Sequence, residues 1–400
     1  MTVRSAIVLA AGEGKRLRPL TEHRPKPMLP AATDPILAHV FDALIAAGIT
    51  ELTVVVGYGR NRVQSHFGPT YRDVPVTYVT QEKQLGSGHA LAAAESTVTG
   101  PSLVVNGDQL VDQRIVEDVI DAHDETDDAA ATIGTIQHRD VTEYGGVLLE
   151  PDEPSMSSRR VAEIVENPTD GRSYLLNAGV YALEKRAFDT VRSANSRGGE
   201  HSLVDGLTAL IDGDEPIRGV RSEGIWIDAT YPWDLLEVAD VLLESDNGVE
   251  STTAASARIH ESATIRGPVV IADDCVVGPG AVIGPNVCLG ENVTVGSNVV
   301  CEHSVVDADT RIGPNATLVD CVTGRGVRVG AGSTVVGGPG DVHVGDRIHR
   351  NEDLGALIAD RVRDEGGVTY APGTIVGSSA VIGSGTTVSG TINSETEVRS

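Results

Sequence analysis

The residue types best suited to chemistry gather near the start of the chain. An apolar run, 6–10, ends in Ala11, Gly12, Glu13 and Gly14, and Lys15, Arg16 and Arg18 follow at once. A strand, a glycine loop and then positive charge is an order that binds phosphate. Glycine lets the backbone approach an anion and turn its N–H groups toward it, and cationic side chains neutralise the rest. A second basic element, Lys26, stands between Pro25 and Pro27. Farther on, Asp108 comes directly after the apolar run 102–105 and Asn106-Gly107. A hard carboxylate oxygen at the end of a buried strand suits Mg²⁺ held between protein and phosphates. An aspartate in that place also serves as the cap of a helix beginning near Gln113.

These groups need a scaffold. Ile36, Leu37, Val40, Leu44 and Ile45 recur at helical spacing before Gly48, and 52–56 reads as a second buried strand. A strand, helix, strand unit of this length predicts a right-handed crossover and a parallel sheet covered on both faces. Further strands are predicted at 76–79, 102–105 and 130–134, with helices starting at Ser87, Ser202 and Pro232. Gln81, Gly86 and Ser87 then fall at the carboxyl end of the third strand, where open α/β sheets bind ligands.

Two familiar phosphate loops do not fit. The dinucleotide fingerprint needs a glycine where this chain has Leu17, and the Walker loop needs Ser or Thr where it has Arg16. The string instead resembles the signature of the sugar-1-phosphate nucleotidylyltransferases, G-x-G-x-R-L-x-P-L-T followed by P-K-P. Gly12, Gly14, Arg16, Leu17, Pro19, Leu20, Thr21 and Pro25-Lys26-Pro27 match it. The resemblance implies an α/β Rossmann-like nucleotidyltransferase domain in which Arg16 and Lys26 are catalytic. Ala11, Gly12, Gly14, Gln81, Gly86 and Ser87 would bind the nucleotide; a glutamine amide offers both donor and acceptor to an imide face. Asp228, at the end of a short strand, resembles the partner of Asp108 in holding one Mg²⁺. Gly145 beside Tyr144, Glu166 and Asn177 resemble the residues that hold the sugar. The implied reaction transfers UMP or dTMP from UTP or dTTP to a hexose 1-phosphate, glucose-1-phosphate or N-acetylglucosamine-1-phosphate, and releases pyrophosphate.

Past a polar stretch the pattern changes. Ile259, Ile265, Ile271, Val277, Ile283, Leu289, Val295 and Cys301 fall at every sixth position, with a small or branched residue two places before most of them. That period is the mark of a parallel β-helix, whose stacked coils bury each other's aliphatic row. It resembles the left-handed hexapeptide-repeat fold. The expected organisation is a nucleotidyltransferase domain at 1–244, a linker at 245–257 and the β-helix at 258–400. The register slips by one after Cys301, and an irregular loop at 337–370, with a short helix at 354–362, interrupts the coil. Such coils assemble into homo-oligomers. The two halves together resemble archaeal and bacterial bifunctional N-acetylglucosamine-1-phosphate uridylyltransferases, which leaves open an added acetyl-CoA-dependent glucosamine-1-phosphate acetyltransferase activity. The histidine motif that precedes the G-A-G coil in those acetyltransferases is missing ahead of Gly330-Ala331-Gly332. A catalytically silent, sugar-nucleotide-binding regulatory subunit is the remaining alternative, although the basic loop and both aspartates are present.

Composition narrows the classes. With 57 acidic against 31 basic residues and a net charge of −26, nucleic acid and anionic membrane are poor partners. No apolar run reaches about 18 residues and no signal-peptide pattern opens the chain, so a cytoplasmic protein away from membranes is expected. Cys275, Cys288, Cys301 and Cys321 lack metal-site spacing and read as buried apolar residues. The lysines are only Lys15, Lys26, Lys83 and Lys185. An acid-rich, lysine-poor surface suits a halophilic protein, because salt screens self-repulsion. The midpoint of thermal unfolding should therefore rise from low to molar salt; a flat or falling midpoint would exclude that adaptation.

Overall fold

The computed structural model describes residues 3–126, 128–139, 141–151, 157–194, 201–244 and 252–399. The chain divides into two units: Met1–Glu13, Pro25–Met28 and Ile36–Asp228 form one, and Gly14–Arg24, Leu29–Pro35 and Ala229–Ser400 the other.

In the first unit the opening apolar run forms β1 (Ser5–Ala10), followed by α1 (Ile36–Ala46), β2 (Glu51–Val56), α2 (Arg60–Phe67), β3 (Thr70–Tyr71), β4 (Val74–Thr80) and α3 (Ser87–Ala93). Next come β5 (Ser102–Asn106), β6 (Gln109–Val111), α4 (Gln113–Asp124), β7 (Ala131–Ile136), β8 (Gly145–Leu149), β9 (Ser158–Glu166) and β10 (Leu175–Leu183). The last elements are α5 (Lys185–Ser193), α6 (Leu203–Asp212), β11 (Ile217–Ser222) and β12 (Trp226–Asp228). A ten-stranded sheet runs β8-β9-β11-β7-β10-β5-β1-β2-β4-β3. β1 does not alternate in polarity because both of its faces are covered. Ala6, Val8 and Ala10 pack with α1 and α4, and Ile7 and Leu9 with α3, α5 and α6. β1, β2, β4 and β5 are parallel, as the crossover predicts. β10 departs from that expectation: it runs antiparallel to both β5 and β7, so the sheet is mixed. Its nearly continuous burial carries no mark of direction.

In the second unit, short parallel strands stack coil on coil. Val276 lies opposite Thr294, Thr294 opposite Arg311, and Arg311 opposite Arg328. Val277, Ile283, Leu289, Val295, Cys301, Ile312 and Leu318 fill a single core, as their spacing requires. The slip after Cys301 is a tightened corner: Ile283 faces Cys301, but Val287 faces Ser304. His303 turns that corner at φ 41° and Asp320 repeats it one coil later at φ 49°.

Two expectations need correction. The irregular region does not extend to 370 and holds no helix. Among the described residues of this region only a hairpin, Gly340–Val344 paired with Arg347–Glu352, leaves the coil. Ala356–Ile358 then lies beside Cys321–Thr323, and Thr369–Tyr370 beside Thr334 and Val335. The apolar spacing over 354–362 satisfies a helix or two rungs of coil equally, and pairing with the preceding coil selects the rungs. Of the expected linker, 245–251 lie outside the described residues. Thr252–Thr253 already pairs with Val270 and Ile271, so stacking begins ahead of 258. Among the described residues no helix is long and apolar enough to cross a membrane.

The second unit also contains α7 (Asp234–Glu244). Its Asp240 Oδ2 lies 3.0 Å from His303 Nε2, and Asp320 Oδ1 lies 2.5 Å from His303 Nδ1. Hydrogen bonds to Asp240 and Asp320 raise the His303 pKa to about 10, which makes this imidazole a cation. The four cysteines are buried and unpaired. Burial pushes Cys288 and Cys301 up to about 12 and raises Cys275 and Cys321 as well. Native protein at pH 8 should therefore leave Ellman's reagent unreacted, and all four thiols should react after unfolding. Unfolding restores the ordinary thiol value, so these thiols weaken stability as pH rises from about 8.5 upward.

Candidate active site

The two aspartates meet through a two-stranded ribbon. β12 pairs antiparallel with β6, and the register sets Asp228 opposite Gln109, next in the chain to Asp108. The turn leading into β6 is seated on β1, because the Gly107 amide donates to the Leu9 carbonyl at 2.9 Å. A Cβ at Gly107 would come within 2.9 Å of Val8 Cγ1, so only glycine allows that approach. Asp108 is not a helix cap. Asp112 caps α4, with its Oδ1 accepting from the Ile115 amide at 3.3 Å.

Lys26 reaches this pair. Its Nζ lies 2.5 Å from Asp228 Oδ1 and 3.1 Å from Asp108 Oδ2. The residue is 6% exposed. Burial disfavours its charge, but the carboxylates of Asp108 and Asp228 outweigh burial and raise its pKa. Both carboxylates thus converge on one cation. Two hard oxygens aimed at one point fit a divalent ion that takes its other ligands from water and phosphate. Among the described residues no third His, Cys, Asp or Glu joins them.

Gln81, expected to meet the base, follows β4 and is buried. Its Nε2 donates to the Gly86 carbonyl at 3.0 Å and lies 3.0 Å from His89 Nδ1. The Gly86 carbonyl can only accept, so it fixes which end of the amide is Nε2. Gly86 has φ 104°, and a Cβ there would lie 2.3 Å from the His201 carbonyl oxygen. Ser87 is committed to structure: its Oγ accepts from the Leu203 amide at 2.9 Å. Ala11 is buried, and its carbonyl accepts from Gln84 Nε2 at 3.0 Å. Tyr58, Arg60 and Gln84 line a cleft of about 500 Å³ with Gln81. Sequence reasoning passed over these three, and over His89. Tyr58 and Arg60 follow the carboxyl end of β2, the placement that had identified Gln81.

The three residues expected to hold the sugar are brought together. Gly145 pairs with Glu166 across β8 and β9, and a Cβ at Gly145 would lie 3.4 Å from Asn177 Cβ. Asn177 Oδ1 accepts from the Gly179 amide at 3.1 Å, within a register shift of β10. Glu166 Oε1 accepts from Ser202 Oγ at 2.9 Å. Trp226 is a packing residue: its Nε1 donates to the Ala178 carbonyl, and its ring meets Tyr144 edge-on at 5.2 Å.

Gly12 is exposed at the end of the first unit's opening segment. Gly14 and Arg16 belong to the second unit. Gly14 is left-handed at φ 70°, and its carbonyl accepts from Thr21 Oγ1 at 2.8 Å. Arg16 is exposed and lies over the ring of Tyr231.

The family described as Nucleotidyl transferase matches residues 5–245, and the one described as GMPPB C-terminal domain matches 265–394. The UTP–glucose-1-phosphate uridylyltransferase AglF of Haloferax volcanii is 32% identical over 240 residues, 60% of this chain and 96% of that protein. A Bifunctional protein GlmU of Methanococcus maripaludis is 33% identical over 235 residues, 58% of this chain. That match spans about half of the relative, 52%. The UTP-bound UGPase of Acinetobacter baumannii has the same fold over 61% of this chain and 95% of its own, with TM-score 0.55 at 23% identity.

Removing the cation leaves Asp108 and Asp228 facing each other. Lys26→Met should lower stability by about 3–5 kcal/mol in urea unfolding at neutral pH, the usual cost of breaking a buried pair. Adding Asp228→Asn to that variant should recover part of the loss.

Proposed function

Because the chain belongs to the nucleotidyl transferase family, we propose that it transfers UMP or dTMP from UTP or dTTP to a hexose 1-phosphate and releases pyrophosphate. The observation that carries this reading is the buried Lys26 shared by Asp108 and Asp228. A phosphate oxygen of the sugar attacks the α-phosphorus, a new P–O bond forms, and the bond to the β-phosphate oxygen breaks. The protein forms no bond to substrate, so catalysis consists of positioning and charge stabilisation.

Asp108 and Asp228 would hold Mg²⁺, which when bound supplies charge neutralisation between the phosphates. Lys26, freed from the carboxylates it now neutralises, would bridge the reacting phosphates. Arg16 and the amides of Gly12 to Gly14 would hold the leaving pyrophosphate. The Gln81 Oε1 would accept the imide N3–H of uracil or thymine, a hydrogen that cytosine lacks, while Ala11, Gly86 and Ser87 border the nucleotide. Gly145, Glu166 and Asn177 would meet the sugar, glucose-1-phosphate or N-acetylglucosamine-1-phosphate being the candidates. Acetyl transfer gains no support from His303, since carboxylates engage both of its ring nitrogens.

The test is pyrophosphate release at high salt with Mg²⁺, across UTP and dTTP paired with glucose-1-phosphate, glucosamine-1-phosphate and N-acetylglucosamine-1-phosphate. One pair should turn over, and Lys26→Ala or Asp108→Asn should each cost on the order of a hundredfold or more in kcat. Lys26→Ala at the wild-type rate would remove the role of that lysine, and no release from any pair would remove the function.

A further inference from the structure

The hairpin that leaves the coil lies against an aromatic cluster. His349, opposite Val342 in the hairpin, has its ring 4.5 Å from that of Tyr231 and 5.1 Å from that of Trp233, tilted by 53° and 52°. Tyr231 and Trp233 stack on each other at 4.8 Å, within 8° of parallel. Over the Tyr231 ring lies the guanidinium of Arg16, with Cζ 5.7 Å from the centroid. The arginine of the phosphate-binding signature therefore rests on a ring that belongs to a cluster completed by the hairpin.

Tyr231 is well fixed for that task. The amides of Thr230 and Tyr231 both donate to Asp234 Oδ2 at 2.7 Å, and Tyr231 is 9% exposed. The segment that follows Arg16 is pinned to the coil as well. Glu22 accepts from Ser394 Oγ at 2.9 and 3.1 Å. Arg24 pairs with Asp307 at 2.5 Å and with Asp360 at 3.5 Å. The backbone around Arg16 is thus anchored, while its long exposed side chain depends on the ring face for orientation.

We propose that His349 is a positioning residue for Arg16: by closing the cluster around Tyr231 and Trp233, the hairpin sets the orientation in which the guanidinium meets the phosphates. The proposal rests on the nucleotidyl transfer proposed above. Ordinary packing would give His349 a role in stability alone. A positioning role couples it to Arg16.

The experiment is steady-state pyrophosphate release by the full chain as wild type, His349→Ala, His349→Phe, Arg16→Ala and the His349→Ala, Arg16→Ala double variant, with thermal unfolding in parallel. His349→Ala should lower kcat/KM for the nucleoside triphosphate by roughly fivefold, the scale of a cation–π contact, with KM for the sugar 1-phosphate unchanged. His349→Phe should restore most of the rate, because it keeps a ring in the cluster. In the Arg16→Ala background the same substitution should have no further effect. If His349→Ala unfolds at the assay temperature, His349→Leu, which fills the space without a ring, replaces it. A wild-type rate in the ringless variant, or an equal loss in both backgrounds, overturns the proposal while leaving the transfer reaction intact. Absence of wild-type turnover overturns both.

Discussion

A buried ammonium shared by two carboxylates is the interaction around which the first unit's candidate site is arranged. Lys26 keeps its charge inside the protein only because Asp108 and Asp228 converge on it, since an isolated buried ion would shed its proton. For that convergence β6 and β12 must pair in one register, the Gly107 turn must sit on β1, and Pro25–Met28 must enter the first unit between two segments that belong to the second. Gly59 has to be glycine for the same reason, because a Cβ there would lie 2.7 Å from Pro25 Cδ. The trio carries one negative charge in excess, so a divalent cation can take the place of the ammonium between the acids.

The same solution recurs through the chain. With 57 acids and 31 Lys and Arg residues, cations are scarce, and several, a histidine among them, serve two acids. Arg24 lies between Asp307 and Asp360, His303 between Asp240 and Asp320, and Arg172 between Glu163 and Asp170. These pairs differ in weight. Arg172 is half exposed and its contacts are screened by water and salt, whereas Arg24 is buried and losing a partner would leave its permanent charge uncompensated.

The sheet imposes a second constraint, from β10. Gly179, at φ 70°, breaks the register of β10 where a Cβ would lie 2.4 Å from Gln109 Oε1 and 2.6 Å from Asn106 Nδ2. Asn106 Nδ2 donates in turn to Gln109 Oε1 at 3.0 Å, spanning the turn that carries Asp108. The residues expected to hold the sugar and the aspartate expected to hold the metal are therefore tied through one irregularity of the sheet. Small errors in that strand would reach both subsites.

What the sequence by itself determined is what short-range spacing can encode. Apolar runs between glycines placed the buried strands, the six-residue period specified stacked coils, and the ordered glycines, Arg16 and Lys26 of the signature pointed to phosphate chemistry. Asp108 and Gln81 were singled out because an open α/β sheet presents its ligands at strand carboxyl ends. The tertiary structure decided the rest. It set the direction of β10, the return to the coil at Ala356, the commitment of Ser87 to Leu203, and the meeting of Lys26 with Asp228 across 202 positions of chain. The approach of His349 to the Tyr231 ring beneath Arg16 is of the same kind. Such contacts arise from pairing register and from the excursions of two segments into the second unit. Neither leaves a local pattern, because a residue's type records the burial it needs and not the partner that will provide it.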